Sequence, residues 1–278
     1  MSKKLNKLVD INGLREFKSK LNAQNVFESW PDGAEAHNAM WGGRNITAAF
    51  DNGTVSANIA NGTFRDIFPG DYITKQVTIS GTTYTVNWVI ADCDYWINKG
   101  NMTAHHVAIV PQAPIFNANM NNDNVTTGGY TGSRMYRETI PACATGIVGA
   151  FGSDHILTFM DRMTTDLNTA AVSSGITVFT GAPNWPGAWH SQQQCNLLSE
   201  AMVYDGPHCA ASAADSIMAT RQMSAFRLSE RLINYNRRWW WLRDVVSSAF
   251  FAFVNGNGSA TSDGASYVFG VRPFALLR

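Results

Sequence analysis

The chain has little charge. Only 15% of its 278 residues are Asp, Glu, Lys or Arg, where roughly a quarter is usual for a soluble domain. Acidic and basic residues balance at 21 each, so there is no net basic field to hold nucleic acid. Lysine is absent after Lys99, and every later cation is an arginine. Cysteine is scarce too: Cys93, Cys143, Cys195 and Cys209 form no CxxC pair, and free, mostly buried thiols are expected. No apolar run approaches the ~18 residues of a membrane span. The basic start is not followed by the apolar run of a secretory signal, so none is expected. Walker A, GxGxxG, HExxH and EF-hand patterns are missing, and no cofactor or bound metal is expected.

Solubility must then come from Asn, Thr, Ser and Gly, a mix that favours β structure with many loops. The last forty residues carry the clearest pattern. Trp239–Leu242 and Phe250–Val254 are apolar runs, Asn255–Ser266 is rich in Gly, Asn and Ser, and Tyr267–Phe269 leads into Gly270–Leu277. That reads as strand, strand, exposed loop, strand, because wide aromatic side chains suit a pleated buried surface. Arg237, Arg238 and Arg243 flank the tryptophans and are expected to stack on rings or fork onto carboxylates.

Earlier in the chain, residues 1–30 read as a separate element. Asn12 can cap a short helix with Leu14, Phe17 and Leu21 on one face, and Lys18 and Lys20 suit its last turns. Such a helix is too short to be stable alone and must dock. Residues 31–278 form the body. Its best hairpin joins Tyr72–Ile79 to Thr83–Ala91 through Ser80-Gly81. His105–Pro111 reads as a strand and residues 117–133 as a polar loop. Ser133 can cap a helical stretch through Ile140 that Pro141 interrupts. A helix is expected over residues 153–168, with Ile156, Leu157, Phe159, Met160 and Met163 inward. Residues 181–194 read as a long loop, residues 196–203 as helix or strand, and residues 228–233 as a short helix.

Trp240-Trp241-Leu242-Arg243, Phe253-Val254-Asn255-Gly256-Asn257-Gly258 and Gly270-Val271-Arg272-Pro273-Phe274, in this order, resemble a C-terminal signature. It is that of the C-type-lectin-like domain of bacteriophage and bacterial surface proteins, in the group with a WWLRS, VNxxG, GVRPAF pattern. The same ending is similar to variable proteins of diversity-generating retroelements, among them phage tropism determinants. The first twenty residues resemble the opening of phage tail-fibre and other virion proteins. Departures are Asp244-Val245 after Arg243 and Phe274 in the usual place of alanine. The Glu-Pro-Asn and Trp-Asn-Asp triplets of calcium-dependent lectins are absent, so calcium-dependent sugar binding is not implied.

The resemblance implies an α+β, C-type-lectin-like fold with mixed antiparallel sheets, two short helices and long polar loops, preceded by the N-terminal helix. The WWLR run becomes a central core strand, and the Gly270–Pro273 run brings the last strand back beside the N-terminal part of the body. The exposed binding face then comprises Asn255, Asn257, Ser259, Thr261, Ser262, Asp263, Ser266 and Tyr267. The implied role is a virion adhesin, made in the host cytoplasm, that binds a host surface glycan or protein. Residues 1–30 would attach it to other virion proteins in a symmetric homo-oligomer, a trimer. The alternative is a purely structural component, such as a capsid decoration, head fibre or tail collar protein.

Other chemistry fits poorly. His105 and His106 are adjacent and point to opposite faces of a strand, which leaves Cys93 with Asp92, Asp94 and one histidine as a weak metal set. His190, Cys195, His208 and Cys209 supply zinc-like ligands in a spacing that matches no common module. Asp66, Asp71, Asp92 and Asp94 are close in number, yet nothing places two of them across a sugar ring. No catalytic residue is assigned. Trp185, Trp189 and Trp239 are candidates to stack on sugars or to seal the core.

Overall fold

In the computed structural model the described residues are 15–16, 33–100, 102–163, 172–173, 176–177, 188–206, 208–209 and 221–278. Helix α1 covers Ala34–His37, α2 Thr47–Asp51 and α3 Thr54–Ala60. The predicted hairpin follows: β1 spans Tyr72–Ile79 and β2 Thr82–Cys93, antiparallel and in continuous register. Ser80 and Gly81 both have positive φ, 49° and 83°, which is the mirror-image turn that matches strand twist in a two-residue hairpin. Strand β3, Val107–Pro111, pairs with β2, and β4, Phe116–Asn119, follows.

After the helical turn α4 (Gly129–Gly132), a π-helical turn at Met135–Thr139 runs directly into α5, Ile140–Phe151. This corrects two expectations. Pro141 does not interrupt the helix: it sits at the start of α5, where the π-helical turn passes into it. The helix expected over residues 153–168 is instead a strand at its described centre. Gly152, with φ 94°, ends α5, and Phe159–Met163 form β5. Its apolar residues fit helical spacing, but Phe159, Asp161 and Met163 also alternate inward in a strand. At Gly146, α5 lies so close to β1 that an added Cβ would stand 2.6 Å from the Thr78 carbonyl oxygen.

Strands β6 (Val172–Ser173) and β7 (Ile176–Thr177) pair with each other, and β8 (Ala188–Gln193) pairs with β5. Residues 196–203 prove to be both elements allowed for them: β9 at Asn196–Leu197 and the start of α6, Glu200–Tyr204, which Ser199 caps. Helices α7 (Ser224–Leu228) and α8 (Glu230–Ile233) precede the C-terminal strands. These are β10 (Trp240–Val245), β11 (Phe250–Val254), β12 (Ala260–Gly264), β13 (Val268–Val271) and β14 (Pro273–Leu277).

Two five-stranded sheets result, in the orders β1-β2-β3-β14-β9 and β12-β11-β10-β13-β4. Most pairings are antiparallel; β10 with β13 is parallel. The architecture is α+β, with antiparallel sheets and few, short helices. Alternation along each strand splits the interior in two. Trp241, Val245, Phe251, Phe253, Ala275 and Leu277 join one apolar cluster with Trp88 and α5. Trp240, Leu242, Ala252, Val254, Phe274 and Leu276 join the other with Trp96 and Phe226. Both sheets are therefore covered on both faces over most of their area. At Arg272 the chain passes from one sheet to the other, and β14 is buried at every position.

The helix expected around Leu14, Phe17 and Leu21, with its cap Asn12 and Lys18 and Lys20, falls outside the described residues, apart from Arg15 and Glu16. The Arg15 guanidinium lies 3.5 Å from the Asp66 carboxylate and 5.4 Å over the Phe68 ring. Among the described residues no helix is long and apolar enough to cross a membrane.

Candidate functional site

Strand β10 carries the WWLR run, and each of its residues is buried. The two indole N–H groups find acceptors, as buried tryptophans need: Trp240 donates to the Ile233 carbonyl and Trp241 to that of Ala118, each at 2.9 Å. Arg243 pairs with Asp161 of β5, and neither side chain is exposed. Asp161 also accepts from the Asn196 amide at 3.1 Å. Arg272 is fully buried too. Its guanidinium donates to the carbonyls of Pro111 (2.8 Å), Leu232 (2.9 Å) and Gln112 (3.2 Å), and lies 4.8 Å over Trp240. Burial pushes it down to about 9, so it stays charged at neutral pH. Of the three arginines expected to stack or fork, Arg243 forks onto Asp161, while the ring stacking falls to Arg272, which was not among them. Arg238 bonds the Asn117 amide oxygen at 2.9 Å.

Asn255–Ser266 is not the loop expected from its composition. Residues 255–259 make a tight hairpin turn, and Ala260–Gly264 is β12, paired along its length with β11. Strand β12 ends its sheet, and an edge strand can be polar throughout because one side faces water.

The eight residues expected to form a binding face divide by role. Asn255 builds the turn, its amide oxygen accepting the N–H groups of Asn257 and Ser259 at 2.9 and 3.1 Å. The Ser266 hydroxyl donates to Asn124 at 2.7 Å, and the Asp263 carboxylate accepts the Gly264 N–H at 2.7 Å. Asn257 and Ser259 are exposed at the turn, and Thr261 and Ser262 lie on opposite faces of β12. Tyr267 is 52% exposed. The set is therefore spread over the turn, the edge strand and the start of β13.

What gathers around Tyr267 is aromatic. Its ring stacks on Phe269, with centroids 6.2 Å apart and planes at 23°. Phe269 packs on Phe253 at 4.5 Å and on Trp241 at 4.6 Å. Trp239, 48% exposed, stacks on Phe253 at 5.3 Å and meets Phe269 edge-on at 5.3 Å. Thr261 is the cross-strand partner of Phe253 and shares its face. A strained turn delivers Trp239: Asn236 and Arg237 both have left-handed backbones, φ 58° and 51°, a conformation that costs energy in residues with a Cβ. Gly256 makes room for it, since a Cβ there would stand 2.8 Å from the Arg237 carbonyl oxygen and 3.2 Å from the indole nitrogen of Trp239. The run Tyr267–Phe269 was legible as a strand; its meeting with Trp239 was not. Of the other sugar-stacking candidates, Trp185 lies outside the described residues, as does the side chain of Trp189.

The acidic residues considered for a metal or a sugar site have partners within the fold. Asp71 accepts three N–H groups from Arg44 and that of Phe68, and burial raises its carboxyl against those bonds. Asp92 pairs with Arg221 and accepts the Ser224 N–H at 2.9 Å. Asp66 faces Arg15. Asp94 meets both histidines, His105 through its Nδ1 at 2.7 Å and His106 through its backbone N–H at 3.0 Å. Cys93, Cys143 and Cys195 are buried, Cys209 partly so, and all are free. Among the described residues the zinc-like set is not assembled: the Cys195 thiol donates to the Ile140 carbonyl, whereas the backbone N–H groups of His208 and Cys209 go to Glu200. The side chain of His190 lies outside the described residues. Among the described residues no group of three or more His, Cys, Asp or Glu could hold a metal.

His106 sets a pH dependence. Its Nε2 accepts the Trp96 N–H at 3.0 Å, and its Nδ1 faces the Ala104 carbonyl at 2.9 Å, so the neutral ring donates from Nδ1. Burial lowers its pKa below 6.5, and the Ala104 carbonyl and Asp94 oppose this only in part. The unfolded chain then binds the proton more readily, and stability rises with pH across the window below about 6.5. Acidification from pH 7 to pH 5 is expected to lower the thermal midpoint, and His106→Gln is expected to flatten that slope. An equal slope in the variant would assign the acid sensitivity elsewhere.

No family model, curated protein or solved structure matches the chain.

Proposed function

We propose that this chain is a bacteriophage virion protein with a C-type-lectin-like body that acts as an adhesin through its C-terminal strands. The observation that carries the reading is the strip formed by Trp239, Phe253, Phe269 and Tyr267, whose two outer rings are about half exposed. Half-exposed aromatic rings held by a packed sheet and a strained turn are costly to keep in water, and such patches serve recognition. The three ordered motifs support the lectin-like assignment, and Tyr267 is the member of the strip that lies in the face the resemblance implies. Residues 1–30 attach the body to other virion proteins, and a symmetric homotrimer multiplies a weak single site.

The test uses the full chain, fluorescently labelled, on the bacteria that the parent particle infects. It is expected to adsorb to those cells, to ignore resistant ones, and to slow adsorption of the particle. Absence of both adsorption and competition would refute the adhesin reading. It would favour a purely structural virion component, for which a second observation speaks. Val268, Val125 and Phe250 are 58%, 47% and 41% exposed, and β12 leaves one edge open among the described residues; a neighbouring subunit could cover both.

A further inference from the structure

Resting on the adhesin reading, we infer that the ligand is an uncharged oligosaccharide, whose sugar rings lie on Trp239 and Tyr267. Each of these rings runs nearly parallel to an inner ring of the strip. Trp239 lies at 29° to Phe253 and Tyr267 at 23° to Phe269. Trp239 and Tyr267 are 48% and 52% exposed. A pyranose has the complementary shape. Its axial C–H bonds form an apolar plate that seats on the electron-rich ring face, and its equatorial hydroxyls point sideways.

The strip's border meets those hydroxyls. Among the described residues, the Thr261 hydroxyl, the Tyr267 phenol and the Trp239 indole N–H have no hydrogen-bond partner, so they can bond a ligand without breaking an internal bond. Both outer rings contact Phe269, so a glycan crossing it meets two platforms, and a chain of sugars gains over a single one. The five residues of the strip and its border, Trp239, Phe253, Thr261, Tyr267 and Phe269, carry no charge, and Arg238 is engaged by Asn117. None of these five side chains rewards an anionic sugar. Two exposed rings side by side suit a small ligand, and several copies would strengthen a weak single site.

The full chain is titrated against an array of uncharged oligosaccharides of gluco, galacto, manno and N-acetylhexosamine type, their monosaccharides, and uronic-acid oligomers. At least one uncharged oligosaccharide is expected to bind, more tightly than its monosaccharide and than any uronic-acid oligomer. Trp239→Ala and Tyr267→Ala are each expected to weaken it about tenfold or more. Tyr267 is the more exposed ring, so its variant separates ligand contact from folding, and an unchanged thermal midpoint confirms this. Binding that survives both substitutions overturns the site, and preference for the uronic-acid oligomers overturns the uncharged class. If no uncharged sugar binds while the chain still adsorbs to its host cells, the inference fails and the adhesin reading stands. If adsorption is also lost, both fail.

Discussion

Asp161→Ala is expected to lower the unfolding free energy by about 3–5 kcal/mol, the usual effect of removing one partner from a buried ion pair. Asp161 and Arg243 are both fully buried, on β5 and β10. Two guanidinium nitrogens face the carboxylate, the second at 3.3 Å. The same carboxylate receives the Asn196 amide at 3.1 Å, and the Asn196 oxygen accepts the Tyr130 hydroxyl at 2.7 Å. One chain of polar bonds therefore ties β10, β5, β9 and α4. Truncation at Asp161 takes the carboxylate away from the buried Arg243 cation and also loosens Asn196. The pair itself contributes much less than this loss, because desolvation offsets most of its attraction. A double variant, Asp161→Leu with Arg243→Met, is thus expected to recover much of the stability. Urea unfolding followed by tryptophan fluorescence reads both. A single-variant loss under about 1 kcal/mol would mean that water or another group reaches Arg243.

The ion pair also shows what the sequence could and could not disclose. Its members are 82 positions apart, and no local pattern links them. Arg243 was marked because it ends a tryptophan run, while Asp161 was hidden inside apolar residues whose spacing imitates a helix. The β1–β2 hairpin was readable because its signals are local: alternation, β-branched residues and a Ser80-Gly81 turn. The strand β12 was not, because an edge strand with one open side needs no apolar alternation, and Thr261-Ser262-Asp263 therefore looks like loop. Part of the candidate site was legible in the same way. Tyr267 and the polar residues near it stood out by position, but the contact of Trp239 with Phe253 and Phe269 arises from cross-strand pairing and a left-handed turn at Asn236 and Arg237. Gly256, which makes that contact possible, reads in the sequence only as part of a glycine-rich turn.

Arg272→Ala is expected to cost about 3–5 kcal/mol as well, for a different reason. Arg243 has a carboxylate partner. Arg272 is held by three carbonyls, from Pro111, Gln112 and Leu232, and by the faces of Trp240 and Phe226, at 4.8 and 5.3 Å. Two opposing effects decide the sign. Removing the cation relieves its desolvation, which is what lowers its pKa. Truncation also leaves three acceptors without this donor, at roughly 1–3 kcal/mol for each that water cannot reach, and opens a cavity between two aromatic rings. The acceptors and the cavity are expected to outweigh the relief, because the guanidinium sits where the chain changes sheets and its donors reach the end of β3, the Gln112 carbonyl beyond it and the end of α8. Arg272→Lys is the discriminating variant. It keeps the charge but lacks the planar fork that serves three carbonyls and stacks on Trp240. A loss in Arg272→Lys approaching that of alanine, measured by urea unfolding, would show that fork geometry sets the stability at this crossing. Full retention by lysine would assign it to charge alone, and a gain in Arg272→Ala would mean that desolvation dominates.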